Sequence, residues 1–157
     1  MLRELSKLFE KKLLVKLMEN ARAPIYKLAQ ELGVSRQTAS KWLKKLEQDL
    51  SLKYIALPDR NKLGLDVKAY VMVRVAPRED VRRRVESRVR KLKQIAQAHY
   101  IYGRYDMVLE VLAKDREDLS NLIDSLHEIE GVLETETFIV REVVKDRPLD
   151  PIIRALK

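Results

Sequence analysis

An α+β fold is predicted, and three observations predict it. Apolar residues recur every three or four positions through the first third of the chain, the mark of amphipathic helices. After a turn-rich segment the period changes to two, the mark of half-buried strands. The alternating stretches are then separated by two further helical patterns in the order β-α-β-β-α-β.

The first helix carries Leu5, Phe9, Leu13 and Leu17 at a spacing of four, with Leu2, Leu14 and Met18 beside them and lysines 7, 11, 12 and 16 on the remaining surface. Asn20 to Pro24 ends it, and Pro24 suits the start of a short second helix from about Ile25 to Leu32. Gly33 stops that helix, and Ser35 caps a third from Arg36 to about Gln48. Val34 before the cap and Ala39 inside it form a candidate hydrophobic staple. A small Ala29, a turn Gly33, a cap Ser35 and the apolar set Ala39, Trp42, Leu43 and Leu46 together fit a helix-turn-helix.

Tyr54–Leu57 is a short strand candidate, followed by the turn-forming Pro58-Asp59-Arg60-Asn61. Val67–Val75 alternates and is rich in valine; Val67, Ala69, Val71, Val73 and Val75 share one side, Tyr70 and Met72 the other. Val81, Val85, Val89 and Leu92 mark one face of an arginine-rich helix over 78–93. Ile95–Tyr102 and Met107–Ala113 are two strands joined by Gly103-Arg104-Tyr105-Asp106. Asp115 caps a helix striped with Leu119, Leu122, Ile123, Leu126 and Ile129 and ended by Gly131. Val132–Val144 is the last strand, and Pro148 and Pro151 break up the tail. The expected fold class is therefore an N-terminal three-helix, winged-type helix-turn-helix domain at 1–52 and a linker strand and turn at 53–65. A C-terminal ferredoxin-like βαββαβ domain at 66–147 and a tail at 148–157 complete the division.

Composition narrows the function. The 157-residue chain has no cysteine and two histidines, His99 and His127. That removes disulfides and thiol nucleophiles and leaves little for a metal site or imidazole catalysis. No catalytic, metal or cofactor site is expected. Nor is any apolar run long enough to cross a bilayer, and Met1-Leu2-Arg3-Glu4 does not open like a signal peptide, so a cytoplasmic protein is expected. Many charged residues with few Asn, Gln and Gly point to a heat-adapted source. The net charge of +8 is uneven: residues 1–53 hold 12 basic and 6 acidic side chains, residues 94–157 hold 8 basic and 13 acidic. A basic front of this kind attracts polyanions.

The outward positions at the start of the third helix are Ser35, Arg36, Gln37, Ser40 and Lys41, with Lys44 and Lys45 further along. Arginine pairs with guanine O6 and N7 and glutamine with adenine, while serine and lysine hold phosphates, so this set suits the major groove of double-stranded DNA. The competing reading is a three-helix bundle with a solvated basic face. Trp42 lies on the inward side and reads as a core residue. Apolar residues on both faces of the strand at 67–75 predict a sheet covered twice, by its own helices and by a second copy in a homodimer.

The whole chain resembles the leucine-responsive Lrp/AsnC family of transcription regulators. The resemblance rests on Tyr26 to Ser35, on Pro58-Asp59-Arg60-Asn61-Lys62-Leu63-Gly64-Leu65-Asp66, on Tyr102-Gly103-Arg104-Tyr105-Asp106 and on Gly131 to Thr137, in that order. It implies C-terminal domains that dimerise and often assemble further, to octamers. It also implies an amino-acid effector near Gly103, Arg104, Tyr105 and Asp106. Two stretches depart from the family pattern: Gln48-Asp49-Leu50-Ser51-Leu52 lacks the usual glycine, and Arg104 stands where an acidic residue is frequent.

Two other classes share parts of this outline. Haem-pathway decarboxylases of the same two-domain architecture would need His99 and arginines around a tetrapyrrole. An RNA-binding ferredoxin-like domain would need paired aromatics on its strands, which are missing here.

Overall fold

A computed structural model describes residues 8–156. Leu2, Leu5 and Lys7 of the first helical pattern lie outside the described residues. The chain forms two compact units: one runs to Ala56 and includes Lys145 onward, the other spans Leu57–Val144.

The first unit contains α1 (Leu8–Glu19), α2 (Ile25–Leu32) and α3 (Arg36–Asp49). Leu13, Leu14, Leu17, Leu28, Leu32 and Leu46 make its core, with Trp42 and Leu43 packed against it. The inward face of α1 is centred on Glu10, Leu13, Leu14 and Leu17. Phe9, expected in that stripe, is exposed and stacks on Trp42 with ring centroids 5.4 Å apart. No strand belongs to this unit among the described residues, so it carries no wing there.

Helix α2 ends in a Schellman motif. Gly33 takes φ 66°, its N–H donates to the Gln30 carbonyl, and the Val34 N–H donates to the Ala29 carbonyl. The Ser35 Oγ then accepts from the Thr38 N–H at 3.1 Å and starts α3. The end of α3 uses the same motif without a glycine. The N–H groups of Ser51 and Leu52 donate to the carbonyls of Gln48 and Glu47, and Ser51 sits at φ 49°.

Two expectations for the segments around this unit need correction. Tyr54–Leu57 forms no strand; its side chains are exposed and, among the described residues, no strand pairs with it, since a lone extended segment has no ladder to join. The tail is not broken up, because Asp150–Leu156 forms α6. Pro151 falls in the first turn, where its missing N–H would be unpaired in any case. Leu156 is buried in the core of the first unit, which α6 joins by packing on α1. The tail at 148–157 is thus part of the domain expected to end at residue 52.

The second unit holds β1 (Val67–Val75), α4 (Glu79–Val89), β2 (Ile95–Tyr100), β3 (Met107–Ala113), α5 (Arg116–His127) and β4 (Val132–Ile139). All pairings are antiparallel and the sheet order is β2-β3-β1-β4, the ferredoxin-like arrangement. Ala69, Val71, Val73 and Val75 of β1 meet Met107, Leu109, Val111 and Ala113 of β3 under Val81, Val85 and Val89 of α4 and Leu119, Leu122 and Leu126 of α5. Strands β2 and β4 are shorter than the alternation predicted: β2 stops two residues before Tyr102 and β4 five before Val144. At the turn into β4, Gly131 takes φ 103°, and a Cβ there would lie 1.9 Å from the Val81 side chain. The Asp115 carboxylate caps α5 by accepting the Asp118 N–H at 2.8 Å. Asp118 in turn accepts from the Lys114 N–H and from Gln94, bonds that hold its carboxyl below the usual carboxylate range.

Ser51 supplies a test of the local strain. A residue with a Cβ in the left-handed region costs about 1 kcal/mol relative to glycine. Ser51→Gly is therefore expected to raise the stability of the first unit by about 1 kcal/mol in urea unfolding followed through Trp42. A neutral or destabilising result would show that the serine conformation is unstrained.

Candidate nucleic-acid interface and ligand loop

Helix α3 buries Ala39 and Leu46, packs Trp42 and Leu43 against the core, and turns its basic residues outward. Arg36, Gln37, Ser40, Lys41 and Lys44 line one shallow concavity with Ile25 of α2. The Arg36 guanidinium lies over the exposed Tyr26 ring, 5.7 Å from its centroid, which gives the long side chain a preferred direction. Tyr26 belongs to this site, although its sequence pattern singled it out only as part of a family motif. The concavity is open and basic, five of the seven residues predicted to touch DNA lie on it, and no acidic residue lines it.

The other two predicted residues have local tasks. The Ser35 hydroxyl caps α3 and lies 2.9 Å from the Thr38 hydroxyl. The Lys45 ammonium sits 3.0 Å from a Glu10 oxygen on α1. Glu10 is only 2% exposed, so an unpaired carboxylate there would carry a large desolvation cost. Glu10 raises the Lys45 ammonium above its usual range, first through the hydrogen bond and then through its charge. Sequence position put Lys45 among the outward lysines; the pairing was invisible because Glu10 sits on another helix.

The hairpin loop of the second unit is organised around Asp106. One carboxylate oxygen accepts the Val75 N–H at 2.8 Å, and the other lies 3.3 Å from an Arg82 nitrogen. The Asp106 N–H donates to the Val73 carbonyl, and its carbonyl accepts from Ile101. Tyr105 is buried and donates its hydroxyl to Glu136, which raises the phenol above its usual range. Arg104 is exposed, covers the Tyr105 ring at 5.3 Å and reaches Glu134 at 3.4 Å. Gly103 is exposed at the tip. The structure thus ties Asp106 and Tyr105 into the fold and leaves Gly103 and Arg104 facing outward.

The arginine-rich α4 finds its partners inside its own chain. Arg78 and Arg84 pair with Asp80, Arg83 with Glu79, Arg82 with Asp106, and Arg84 also with Glu130 of the α5–β4 turn. These five pairs need no acidic residue from another copy of the chain. His99 is exposed on β2, 3.0 Å from Gln97, and His127 meets Thr135 at 2.8 Å. Among the described residues no group of His, Asp and Glu gathers to hold a metal, and no helix is long and apolar enough to cross a membrane.

A helix-turn-helix with a basic outward face, followed by a ferredoxin-like unit, defines a class: transcription regulators that couple a DNA-binding domain to a ligand-binding one. The chain belongs to the Lrp/AsnC family, whose ligand binding domain matches residues 68–150, while an HTH domain matches residues 10–58. An HTH-type transcriptional regulator of Pyrococcus abyssi is 31% identical over 140 residues, covering 87% of this chain and 93% of that one. The HTH-type transcriptional regulator FL11 of Pyrococcus furiosus is 28% identical over 144 residues, covering 91% and 94%. A transcriptional regulator of Neisseria meningitidis, solved as a complex with L-Met, shares the fold with a TM-score of 0.85 at 24% identity, covering 92% of this chain and 97% of that one.

The Glu10–Lys45 pair makes a prediction that separates structure from DNA contact. A lysine whose value is raised by folding stabilises below its unfolded value and loses that effect only as pH rises through the raised one, so the pair is intact at neutral pH. Lys45→Met is expected to lower the thermal midpoint of the first unit at pH 7, and adding Glu10→Gln is expected to restore most of it. A Lys45→Met protein that melts like the wild type but binds DNA less tightly would make Lys45 a DNA contact instead.

Proposed function

We propose that this regulator reads a specific double-stranded DNA sequence through α3, as a dimer built on its C-terminal unit, and that it responds to an amino acid. One observation carries the DNA reading: Arg36, Gln37, Ser40, Lys41 and Lys44 share one open face of a capped helix, with Tyr26 steering Arg36. Arg36 and Gln37 then read bases, and Ser40, Lys41 and Lys44 hold phosphates. Ser35 contributes through the cap, which presents the helix N-terminus to a phosphate. The role is binding, with no chemistry performed on the DNA.

The dimer reading is supported by the sheet face away from α4 and α5. Tyr70, Met72, Val108, Leu112 and Phe138 lie there, with Tyr70 and Phe138 exposed, and the register of β1 with β3 and β4 makes them one surface. A sheet with apolar side chains on both faces asks for a second cover. Lys68–Glu110, 2.8 Å apart and both largely covered, adds a polar pair to the same face. The effector reading is supported by the family's ligand binding domain and by the L-Met held by the Neisseria relative. Gly103 and Arg104 are the loop positions open to such a ligand, and Asp106 and Tyr105 fix the loop's shape.

Selection of bound duplexes from random sequence tests the proposal. A dimer should enrich sites with two-fold symmetry and half-sites about one helical turn apart, ~34 Å. Arg36→Ala or Gln37→Ala should relax the preference at one or two positions per half-site, costing about 1–3 kcal/mol there. Lys44→Ala should weaken all sequences alike and reduce the salt slope by about 1 per half-site. An unchanged motif from the Arg36→Ala protein would show that another surface reads the bases.

A further inference from the structure

The chain leaves α3 along a fixed course and then loses it abruptly. The N–H groups of Leu50, Ser51 and Leu52 donate to the carbonyls of Leu46, Gln48 and Glu47, and the Leu50 and Leu52 side chains pack against the core of the first unit. Lys53 is exposed, and the Tyr54 hydroxyl then donates to a Glu47 carboxylate oxygen at 3.0 Å. Glu47 thus holds the departing chain twice, at Leu52 through its carbonyl and at Tyr54 through its side chain. Past Tyr54 the hold ends. Ile55, Ala56 and Leu57 are exposed, and among the described residues no backbone–backbone hydrogen bond fixes them.

The Glu47–Tyr54 bond is the last one that ties the linker to α3. Without it the fixed course would end at Leu52, and each freed residue adds two soft backbone dihedrals. Partial burial, and then the Glu47 carboxylate, raises the Tyr54 phenol above its usual range, so the hydroxyl remains a donor at neutral pH. Neither Glu47 nor Tyr54 lines the basic concavity of α3. Their bond therefore bears on where the reader domain is carried, and the concavity on which bases are read.

We propose that Tyr54 is a positioning residue: its bond to Glu47 sets the point at which the linker becomes free, and so restricts the separation of half-sites that the dimer accepts. The inference rests on the dimeric reading of DNA. Each added base pair moves a half-site by about 3.4 Å along the duplex and turns it by about 35°. Two recognition helices on arms held as far as Tyr54 tolerate little of that displacement, whereas arms freed from Leu52 onward follow it. Helix α3 keeps its cap and its packing in either case, so the sequence of each half-site stays the same.

The test uses duplexes carrying two copies of the half-site selected by the full-length wild type, at the selected separation and at separations altered by one and by two base pairs. Tyr54→Phe removes the donor, Glu47→Ala removes the acceptor, and Glu47→Gln keeps an acceptor oxygen without the charge. Circular dichroism establishes that each variant is folded. The wild type should prefer the selected separation by tenfold or more. Tyr54→Phe and Glu47→Ala should each reduce that preference about fivefold, the worth of one net hydrogen bond, while selecting the same half-site sequence. Glu47→Gln should keep the wild-type preference. Tyr54→Phe retains the Glu47 charge, so a loss shared with Glu47→Ala cannot come from an altered repulsion of phosphates. A Tyr54→Phe protein that melts earlier but is as strict about separation as the wild type would overturn the proposal, leaving Tyr54 a purely structural residue. A changed half-site sequence in that variant would equally overturn it, by placing Tyr54 on the reading surface. A wild type with no preferred separation would overturn the dimeric reading and this inference together.

Discussion

A carboxylate only 2% exposed has lost its hydration and needs a cation beside it to offset that cost, and in the reader domain that cation is Lys45. The pair joins α1 to α3 near the end of α3 farthest from the turn. With Ala39 and Leu46 on the inward side, it fixes the rotation of α3 about its own axis. Rotation is the variable that matters for a recognition helix, because each residue turns the presented face by about 100°. Fixed in this way, α3 directs Arg36, Gln37, Ser40, Lys41 and Lys44 to one side. The caps do the same for position along the axis: the Gly33 turn and the Ser35 hydroxyl determine where the helix begins.

The C-terminal unit follows a different constraint. Its core uses one face of β1 and β3 completely, while α4 packs on β1 and α5 on β3 and the edge strand β4. What they leave is an apolar far face and an under-covered edge at β2. The hairpin loop is held by Asp106, which binds the backbone at Val75 and the Arg82 side chain at once. Asp106 is thereby engaged in the fold, while Gly103 and Arg104 face outward.

Much of this was legible in the chain. The valine alternation gave β1 and the apolar run gave β3 to the residue, and Asp115, Ser35 and Gly33 marked helix ends, because caps and periods are local signals; Gly131 lies in the turn into β4, after α5 has ended at His127. The positions that escaped depend on distant partners. Phe9 fits the stripe of α1, yet Glu10 occupies the buried place because Lys45 comes to meet it. Tyr54–Leu57 has strand propensity but no strand beside it, and Pro151 hides a helix because a first-turn proline resembles a helix breaker. Of the seven residues expected to face DNA, Ser35 also caps α3 and Lys45 also pairs with Glu10, tasks that depend on partners elsewhere in the fold.

The central claim is that the exposed face of α3 enters the major groove. The most direct measurement replaces each guanine of a selected site in turn by 7-deazaguanine, which removes the major-groove N7 acceptor and leaves Watson–Crick pairing intact. The account predicts a loss of affinity confined to one or two guanines in each half-site. Uniform affinity across every substituted duplex, with specific binding otherwise preserved, would contradict it.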